Sequence, residues 1–423
     1  MLRLRTWMAF AVGNLTGAAL IASLFLFGPL SRPAELESGE LVILSGQDDS
    51  AGGQRQQLVN IWNDSHPRNR ARIVTLPEAA DGQYAEMVSR AEDGDTDIFN
   101  LDVAWTARFA EPPSGRRLIR PIDESLLAER PDRAFMPNPL ATCRYDGRLW
   151  ALPFNTDAGL LYYRTDQGLR PPFDWAAIRA AGVRPGFDAV WTGQLNSYEG
   201  LTVNFLETVW ALGGDLAVAG DGTVSLDLKK WDEAARLLTP PRDGGRGLIL
   251  PGSVSFEETS SRSAFRDGRT LFMRNWPVAY RAMLTGDQGR DGGRFAFDVT
   301  RLPGDSVLGG QNLAISERTS KPRAAQALIE FLTGERGQRL LFVNGGFAAT
   351  RAGVYEDETI KQKYPYLPRL REAIDTARLR PVSPNYVPFS GVLNQQVHDV
   401  LTGRRQSLPP DLADRLTRAL QGR

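Results

Sequence analysis

Two hydrophobic periodicities alternate between residues 41 and 105, and this alternation restricts the fold more than any other feature of the sequence. Apolar runs typical of buried strands occupy 41–46, 71–76 and 96–105. Two stretches with helical spacing separate these runs, and in the first of them Leu58, Ile61 and Trp62 fall on one face. Because strands that are separated by helices usually pair in parallel, the pattern predicts an α/β fold with helices packed on a sheet.

Polar residues follow the first and third predicted strands. Gln47 and Asp48 come directly after the first strand, and Asp102 lies near the end of the third. In open α/β sheets, ligands bind where the carboxyl ends of the strands meet, so we expect these three side chains to face a common cleft. An alternative for Asp48 is to cap the helix that follows, since aspartate is a good N-cap residue.

The composition argues against several functional classes. The 50 basic and 50 acidic residues cancel, so no overall field draws the chain to nucleic acid. The one cysteine, Cys143, cannot form an intrachain disulfide, and His66 and His398 are too few for a multi-histidine zinc site. We therefore expect neither a metal nor a cofactor.

Motifs of common enzymes are also missing from the sequence. It contains no nucleotide-binding glycine motif, no G-x-S-x-G elbow and no H-E-x-x-H pattern. A glycosidase with paired carboxylates stays open, because carboxylates are plentiful and nothing marks two of them as a pair. The favoured prediction is a protein without catalysis.

The N-terminus carries an apolar segment that is long enough to cross a membrane. Residues 8–30 are 23 in number and contain no charge, against about 20 needed for a helical span. Arg3 and Arg5 precede the segment, which predicts that the N-terminus stays inside and the following domain is exported. We expect 1–37 to be an uncleaved signal-anchor and linker. A cleaved signal peptide, which would leave a secreted protein, is the alternative.

Two further features indicate a carbohydrate ligand. The segment 152–164, LPFNTDAGLLYYR, reads as a buried strand that Asn155, Thr156 and Asp157 interrupt with polar groups. Trp276 lies in the sequence NWP, a predicted turn where a bulky ring has no obvious core to pack into. Sugars need both kinds of group, because their C–H faces pack on aromatic rings and their hydroxyls bind planar polar side chains.

Six stretches carry a resemblance to the extracellular solute-binding proteins of ABC importers, especially the branch that binds trehalose and maltose. In chain order they are DIFNLDVAWTARFAE, LPFNTDAGLLYYR, YEGLTVNFLETVWALGG, FMRNWPVAY, LGGQNLAIS and RPVSPNYVPFS. The resemblance runs from about residue 40 to the C-terminus. It implies a two-lobed α/β fold of the periplasmic-binding-protein type II, in which each lobe is a sheet flanked by helices and the ligand cleft lies between the lobes.

The resemblance also implies lobe boundaries and ligand contacts. The chain would cross between lobes three times, which places lobe one at 41–154 plus 299–349 and lobe two at 157–296 plus 350–423. Trp276 would stack on a sugar ring. The other implied ligand contacts are Gln47, Asp48, Asp102, Asn155, Asp157, Glu258, Gly310, Gln311, Asn312, Arg351 and Arg380. Tyr198 and Glu199 lie in a matched stretch, with packing and a helix N-terminus as the alternative to ligand contact.

The function that the resemblance implies is capture and delivery. A monomeric extracytoplasmic binding protein would close on a di- or oligosaccharide and pass it to ABC permease subunits that a separate ATPase drives. Many relatives are tethered through a lipid-modified cysteine, but residues 25–40 contain no cysteine, so we expect the N-terminal helix to serve as the tether. A membrane-anchored sugar sensor with the same pocket is an alternative, and a glycoside hydrolase is a third.

Overall fold

The computed structural model describes residues 35–48, 50, 52–77, 80–112, 115–127, 134–285 and 295–423. The predicted membrane segment at 8–30 lies outside these residues. Within the described ranges, no helix has the length and apolarity that a membrane span requires.

The strands of the described residues form two larger sheets and two short hairpins. In chain order they are β1 (Leu41–Ser45), β2 (Ala71–Thr75), β3 (Ile98–Asp102), β4 (Arg144–Tyr145), β5 (Arg148–Leu149), β6 (Leu152–Ala158), β7 (Leu160–Arg164), β8 (Ala189–Thr192), β9 (Leu216–Val218), β10 (Val224–Leu226), β11 (Gly247–Ile249), β12 (Thr270–Asn275), β13 (Phe297–Arg301) and β14 (Leu308–Ile315).

The helices surround these sheets. In chain order they are α1 (Gln54–Ser65), α2 (Ala80–Asp93), α3 (Thr106–Ala110), α4 (Pro137–Ala141), α5 (Trp175–Ala180), α6 (Glu199–Ala211), α7 (Leu228–Leu238), α8 (Glu258–Arg266), α9 (Val278–Thr285), α10 (Pro322–Thr333), α11 (Glu335–Leu340), α12 (Ala352–Glu356), α13 (Glu358–Lys363), α14 (Leu367–Asp375), α15 (Tyr386–Leu401) and α16 (Leu412–Leu420).

The first sheet has the strand order β2-β1-β3-β14-β6. Its strands β1, β2 and β3 pair in parallel, as the alternation of strand and helix predicts, and β14 is antiparallel to both β3 and β6. All residues of β1 are buried, because helices cover both faces of a parallel sheet and its strands therefore read as continuous apolar runs. The carboxyl ends of β1 and β3 place Gln47 and Asp102 at one edge.

The second sheet has the strand order β11-β8-β12-β7-β13 and forms the core of the second lobe. Its core contains large buried aromatic side chains, including Trp191 of β8 and, from the helices, Phe205, Trp231 and Phe389. The helices α15 and α16 come from the C-terminal part of the chain and complete this core. Two five-stranded sheets with helices around each give the predicted two-lobed α/β fold.

The chain first passes between the sheets after β6. This strand belongs to the first sheet, and the next strand, β7, belongs to the second. Gly159 is the one residue between them. The return passage lies between β13 and β14. We predicted lobe one to resume at 299, but β13 pairs with β7 over its whole length and extends the second sheet to Arg301. The return passage is therefore 302–307, and the predicted boundary falls inside a strand.

Candidate ligand-binding cleft

A cavity of about 180 Å³ lies where side chains of the two sheets approach each other. One enclosed water needs about 10–15 Å³, so the cavity has room for a small organic molecule. Eight of the predicted ligand contacts line it, namely Gln47, Asp102, Asp157, Glu258, Trp276, Gly310, Gln311 and Arg380. The chain positions of these residues span 47–380, so the fold brings together side chains that are distant in sequence.

Trp276 is the large aromatic side chain at the end of β12, and its neighbours hold it in place. Its indole Nε1 donates a hydrogen bond to Glu258 Oε1 at 3.2 Å, and its carbonyl accepts one from the Tyr162 hydroxyl at 2.7 Å. The guanidinium of Arg274 lies 3.7 Å from the centroid of the ring, a cation–π contact. The ring is therefore oriented before any ligand arrives.

Two glycines of β14 allow close approach to this ring. A Cβ atom on Gly309 would lie 3.1 Å from the Trp276 ring and 3.2 Å from Asp157 Cβ. Gly310 has a φ of 120° and is seated against β6, where a Cβ would lie 2.3 Å from the carbonyl oxygen of Asn155. The positive φ and the contact with Asn155 both require glycine at 310. The absence of a side chain at Gly309 lets Asp157 and Trp276 approach each other closely.

Arg380 connects the two lobes across the cleft. Its Nη2 donates to Asp102 Oδ1 of the first lobe at 2.8 Å, and its Nη1 donates to Glu199 Oε1 at the start of α6 at 2.6 Å. Glu199 also accepts hydrogen bonds from the hydroxyls of Tyr386 and Ser390. Asp102 and Arg380 therefore line the cavity as an ion pair that holds the lobes together.

Asp157 lies in β6 on the same face as Asn155, because alternate strand residues share a face. Asn155 Nδ2 donates to Asp157 Oδ2 at 3.3 Å, while the Oδ1 atoms of both side chains are buried and have no hydrogen-bond partner. Burial raises the pKa of Asp157 to about 7, and the cationic side chains of Arg55 and Arg274 oppose this rise. Asn155 contacts Asp157 and does not itself line the cavity.

Asp157→Asn is expected to stabilise the ligand-free protein by about 4 kcal/mol at pH 8 and by much less at pH 4. The carboxyl has a pKa of about 7 in the folded protein and about 3.9 in an unfolded chain. The folded state therefore binds more protons between these values, and the wild type loses stability as the pH rises from 4 to 7. Asparagine carries no such penalty.

Urea unfolding of both proteins at pH 4, 6 and 8 measures this difference. The gap between the two free energies of unfolding should widen with pH. The exposed Asp64→Asn substitution serves as a control and should follow the wild type. A gap for Asp157→Asn that is constant with pH would contradict the assigned ionisation.

Asp48 takes the alternative role of a helix cap. Its Oδ1 accepts from Ser50 N at 3.0 Å and Ser50 Oγ at 2.6 Å, and its Oδ2 accepts from the backbone N–H of Arg55 at 2.8 Å. Donors at the start of α1 therefore occupy the carboxylate, and the side chain does not line the cavity. The expectation of ligand contact at Asp48 is corrected.

Asn312 and Arg351 are also used within the protein and do not reach the cavity. Asn312 is buried in the first lobe, where its Nδ2 donates to Thr142 Oγ1 at 3.0 Å. Arg351 is buried with its Nε donating to Thr333 O at 2.9 Å and its guanidinium 3.6 Å from the centroid of the Phe135 ring. Both predicted ligand contacts are corrected, since these side chains support packing.

Several residues that line the cavity were not among the predicted contacts. Arg55 of α1 donates to Ser45 Oγ at 3.1 Å and to Gln311 Oε1 at 2.9 Å, and lies 4.7 Å from the centroid of the Phe347 ring. Further lining residues are Gln83, Trp105, Tyr198, Glu199, Glu257 and Phe347. Tyr198 and Glu199 do mark a helix N-terminus, as the sequence indicates, and they also face the cavity.

A family model described as "Bacterial extracellular solute-binding protein" matches residues 68–368, which include most of the first lobe and the whole second sheet. The chain belongs to this family. Members are the extracytoplasmic solute-binding components of ABC transporters, which agrees with a two-lobed protein that has a polar cleft.

Individual relatives span nearly the same length. A probable ABC transporter-binding protein of Deinococcus radiodurans is 28% identical over 362 residues, which cover 79% of this chain and 82% of the relative. A mannitol-binding protein of Pseudomonas aeruginosa is 22% identical over 402 residues, covering 86% and 85%. The solved structure of maltose-bound MalE3 of T. maritima has a TM-score of 0.77 and 27% identity, covering 90% of this chain and 99% of that one. This likeness confirms the predicted fold class.

Proposed function

We propose that this solute-binding protein captures a di- or oligosaccharide of the trehalose or maltose type in the cleft and delivers it to ABC permease subunits. The observation that carries the proposal is the position of Trp276, an oriented indole in a cavity with carboxylates around it. A pyranose ring packs its C–H face on such a ring, and its hydroxyls donate to carboxylates such as Asp157 and Glu258. The solved MalE3 structure has maltose bound to that protein, which supports a similar ligand class here.

The two lobes provide a means of capture. A ligand that contacts both lobes favours the closed arrangement by the difference between its affinities for the closed and open forms. The passages at Gly159 and 302–307 are short, and hinge closure needs backbone changes at only a few such residues. Ligand contacts from lobe one are assigned to Gln47, Asp102, Gly310 and Gln311, and the segment 1–37 is assigned as the membrane tether.

A thermal-shift panel tests the sugar assignment. The purified full chain, kept in a detergent without a sugar head group, is heated with trehalose, maltose, sucrose and cellobiose in turn. A sugar at 100 times its dissociation constant stabilises the folded state by about 2.7 kcal/mol, which gives a visible shift. A shift with one or more of these sugars is the expected result, and no shift with any of them would contradict the assignment.

A glycoside hydrolase is the competing function, because Asp102, Asp157, Glu199, Glu257 and Glu258 place several carboxyl groups in one cavity. Incubation of the bound sugar with the protein, followed by analysis of the sugar, distinguishes a binding protein from a hydrolase. Recovery of the intact sugar is expected for a binding protein, whereas release of monosaccharide would show catalysis.

A further inference from the structure

The lining of the cavity carries more negative than positive charge. Among the residues that line it there are two guanidinium groups, Arg55 and Arg380. The carboxylates that line it are Asp102, Asp157, Glu199, Glu257 and Glu258. Arg380 is already paired with Asp102 and Glu199, so its charge does not compensate the other three carboxylates.

The hydrogen bonds that Glu257 and Glu258 accept come from neutral groups, while Arg55 and Arg274 act on Asp157 only through space and do not offset the effect of its burial. Glu258 accepts from the Tyr198 hydroxyl at 2.9 Å and Trp276 Nε1 at 3.2 Å, and Glu257 accepts from Asn196 Nδ2 at 3.1 Å. In the described part of the chain, no Arg or Lys nitrogen forms a salt bridge with Glu257, Glu258 or Asp157. The three residues are half-buried, and removing a carboxylate from water without a paired cation is energetically costly, so a cation that the ligand supplies would be favoured.

Unmatched acceptors lie in the strand that carries Asp157. Asp157 and Asn155 share one face of β6, and the Oδ1 atom of each is buried without a donor. The nearby Arg274 donates elsewhere, since its Nε and Nη2 bind both oxygens of Glu207 at 2.8 and 2.7 Å and its Nη1 binds Gln194 Oε1 at 3.2 Å. An ammonium group has three donors and no acceptor, and therefore matches the carboxylate oxygens of Asp157 and Glu258.

We propose that the cleft selects sugars by charge, binding amine-bearing sugars or polyols in preference to neutral ones and rejecting sugar phosphates and uronates, with Asp157 determining the preference. This selectivity rests on the proposed sugar-binding function. An ammonium near Asp157 and Glu258 gains Coulomb energy in a partly desolvated cavity, and an anion there meets like charges. A neutral sugar experiences neither this attraction nor this repulsion.

Isothermal titration calorimetry with matched sugars tests the selectivity. The full chain is titrated at pH 7.5 with trehalose, its monoamino derivatives (each with one hydroxyl replaced by an amine) and trehalose 6-phosphate. Cellobiose and the β-1,4 disaccharide of glucosamine form a second matched pair. The best amine is expected to bind at least tenfold more tightly than its neutral counterpart, and the phosphate at least tenfold more weakly.

Two aspartate-to-asparagine variants locate the effect. In Asp157→Asn, the ratio of amine to neutral affinity should fall towards one. Asp146→Asn is the matched control, because Asp146 is exposed in the turn between β4 and β5 and does not line the cavity. This control should keep the wild-type ratio, and loss of the preference in both variants would overturn the role of Asp157.

The outcomes separate the selectivity from the sugar-binding function itself. If the neutral sugars bind as tightly as every amine, or the phosphate binds most tightly, the charge selectivity is overturned and the sugar-binding function stands. If no sugar of any charge binds, the sugar-binding function fails and the selectivity fails with it.

Discussion

Arg274→Met is expected to lower the free energy of unfolding by about 3–5 kcal/mol. The Arg274 side chain is 2% exposed and the Glu207 side chain is 5% exposed, so their bidentate ion pair is closed off from water. Methionine fills much of the arginine volume but leaves the Glu207 carboxylate buried without its cation. That uncompensated charge is the source of the large effect.

The position of Glu207 extends the consequence to the hinge. Its Oε1 also accepts from Val307 N at 3.2 Å and Ser306 Oγ at 3.0 Å. Ser306 Oγ in turn accepts from Gly159 N at 2.5 Å, so one carboxylate links the passage at Gly159 to the passage at 302–307. Loss of the Arg274–Glu207 pair is therefore expected to perturb the backbone at Gly159 and 302–307, where the lobes join.

Urea unfolding measures the effect of Arg274→Met against a surface control. Lys230→Met removes an ion pair with Glu233 on α7, where the two side chains are 40% and 51% exposed. Exposed pairs contribute about 0–1 kcal/mol, so the control should unfold close to the wild type. A loss below about 1 kcal/mol for Arg274→Met would show that the pair is not compensating a buried charge.

The second large effect is on binding: Trp276→Ala is expected to weaken the affinity for the bound sugar by about 100-fold, or about 2.7 kcal/mol. The substitution removes the aromatic surface against which the sugar ring packs. It also removes the Nε1 group that donates to Glu258, which leaves this half-buried carboxylate with the Tyr198 hydroxyl as its side-chain donor. Both losses act on the same side of the cavity.

Calorimetry with two further variants separates these contributions. Trp276→Phe keeps an aromatic ring but not the Nε1 donor, so an intermediate affinity is expected. Phe173→Ala removes an aromatic side chain that is 81% exposed and does not line the cavity, and should leave the affinity unchanged. A loss of less than tenfold in Trp276→Ala, with the fold intact by circular dichroism, would rule out the ring as the main sugar contact.

Local patterns in the sequence predict the parts of this protein that depend on local physics. The alternation of strand and helix predicts the parallel part of the first sheet, because burial on both faces imposes continuous apolar runs. The turn residues around Trp276 predict a ring outside the core. The polar interruption at Asn155 and Asp157 predicts acceptors at the passage between lobes, and Asp157 does line the cavity.

The errors arise where a role depends on distant partners. Gln311 and Asn312 are neighbours on β14, and successive strand residues face opposite sides, so Gln311 lines the cavity and Asn312 is buried. The register of the strand decides which of the two side chains faces the ligand, and this register cannot be read from the local sequence. Arg55 gives no signal either, since its place in the cleft follows from its hydrogen bonds to Ser45 of β1 and to Gln311 of β14.

A crystal structure of the protein with the tightest-binding sugar of the panel tests the cleft assignment most directly. The expected result is a sugar ring packed on Trp276, with hydroxyl or amine groups within hydrogen-bond distance of Asp157 and Glu258. A sugar found elsewhere, for example in the second cavity beside Trp210 and Arg378, with the cleft between the lobes empty, would contradict the assignment.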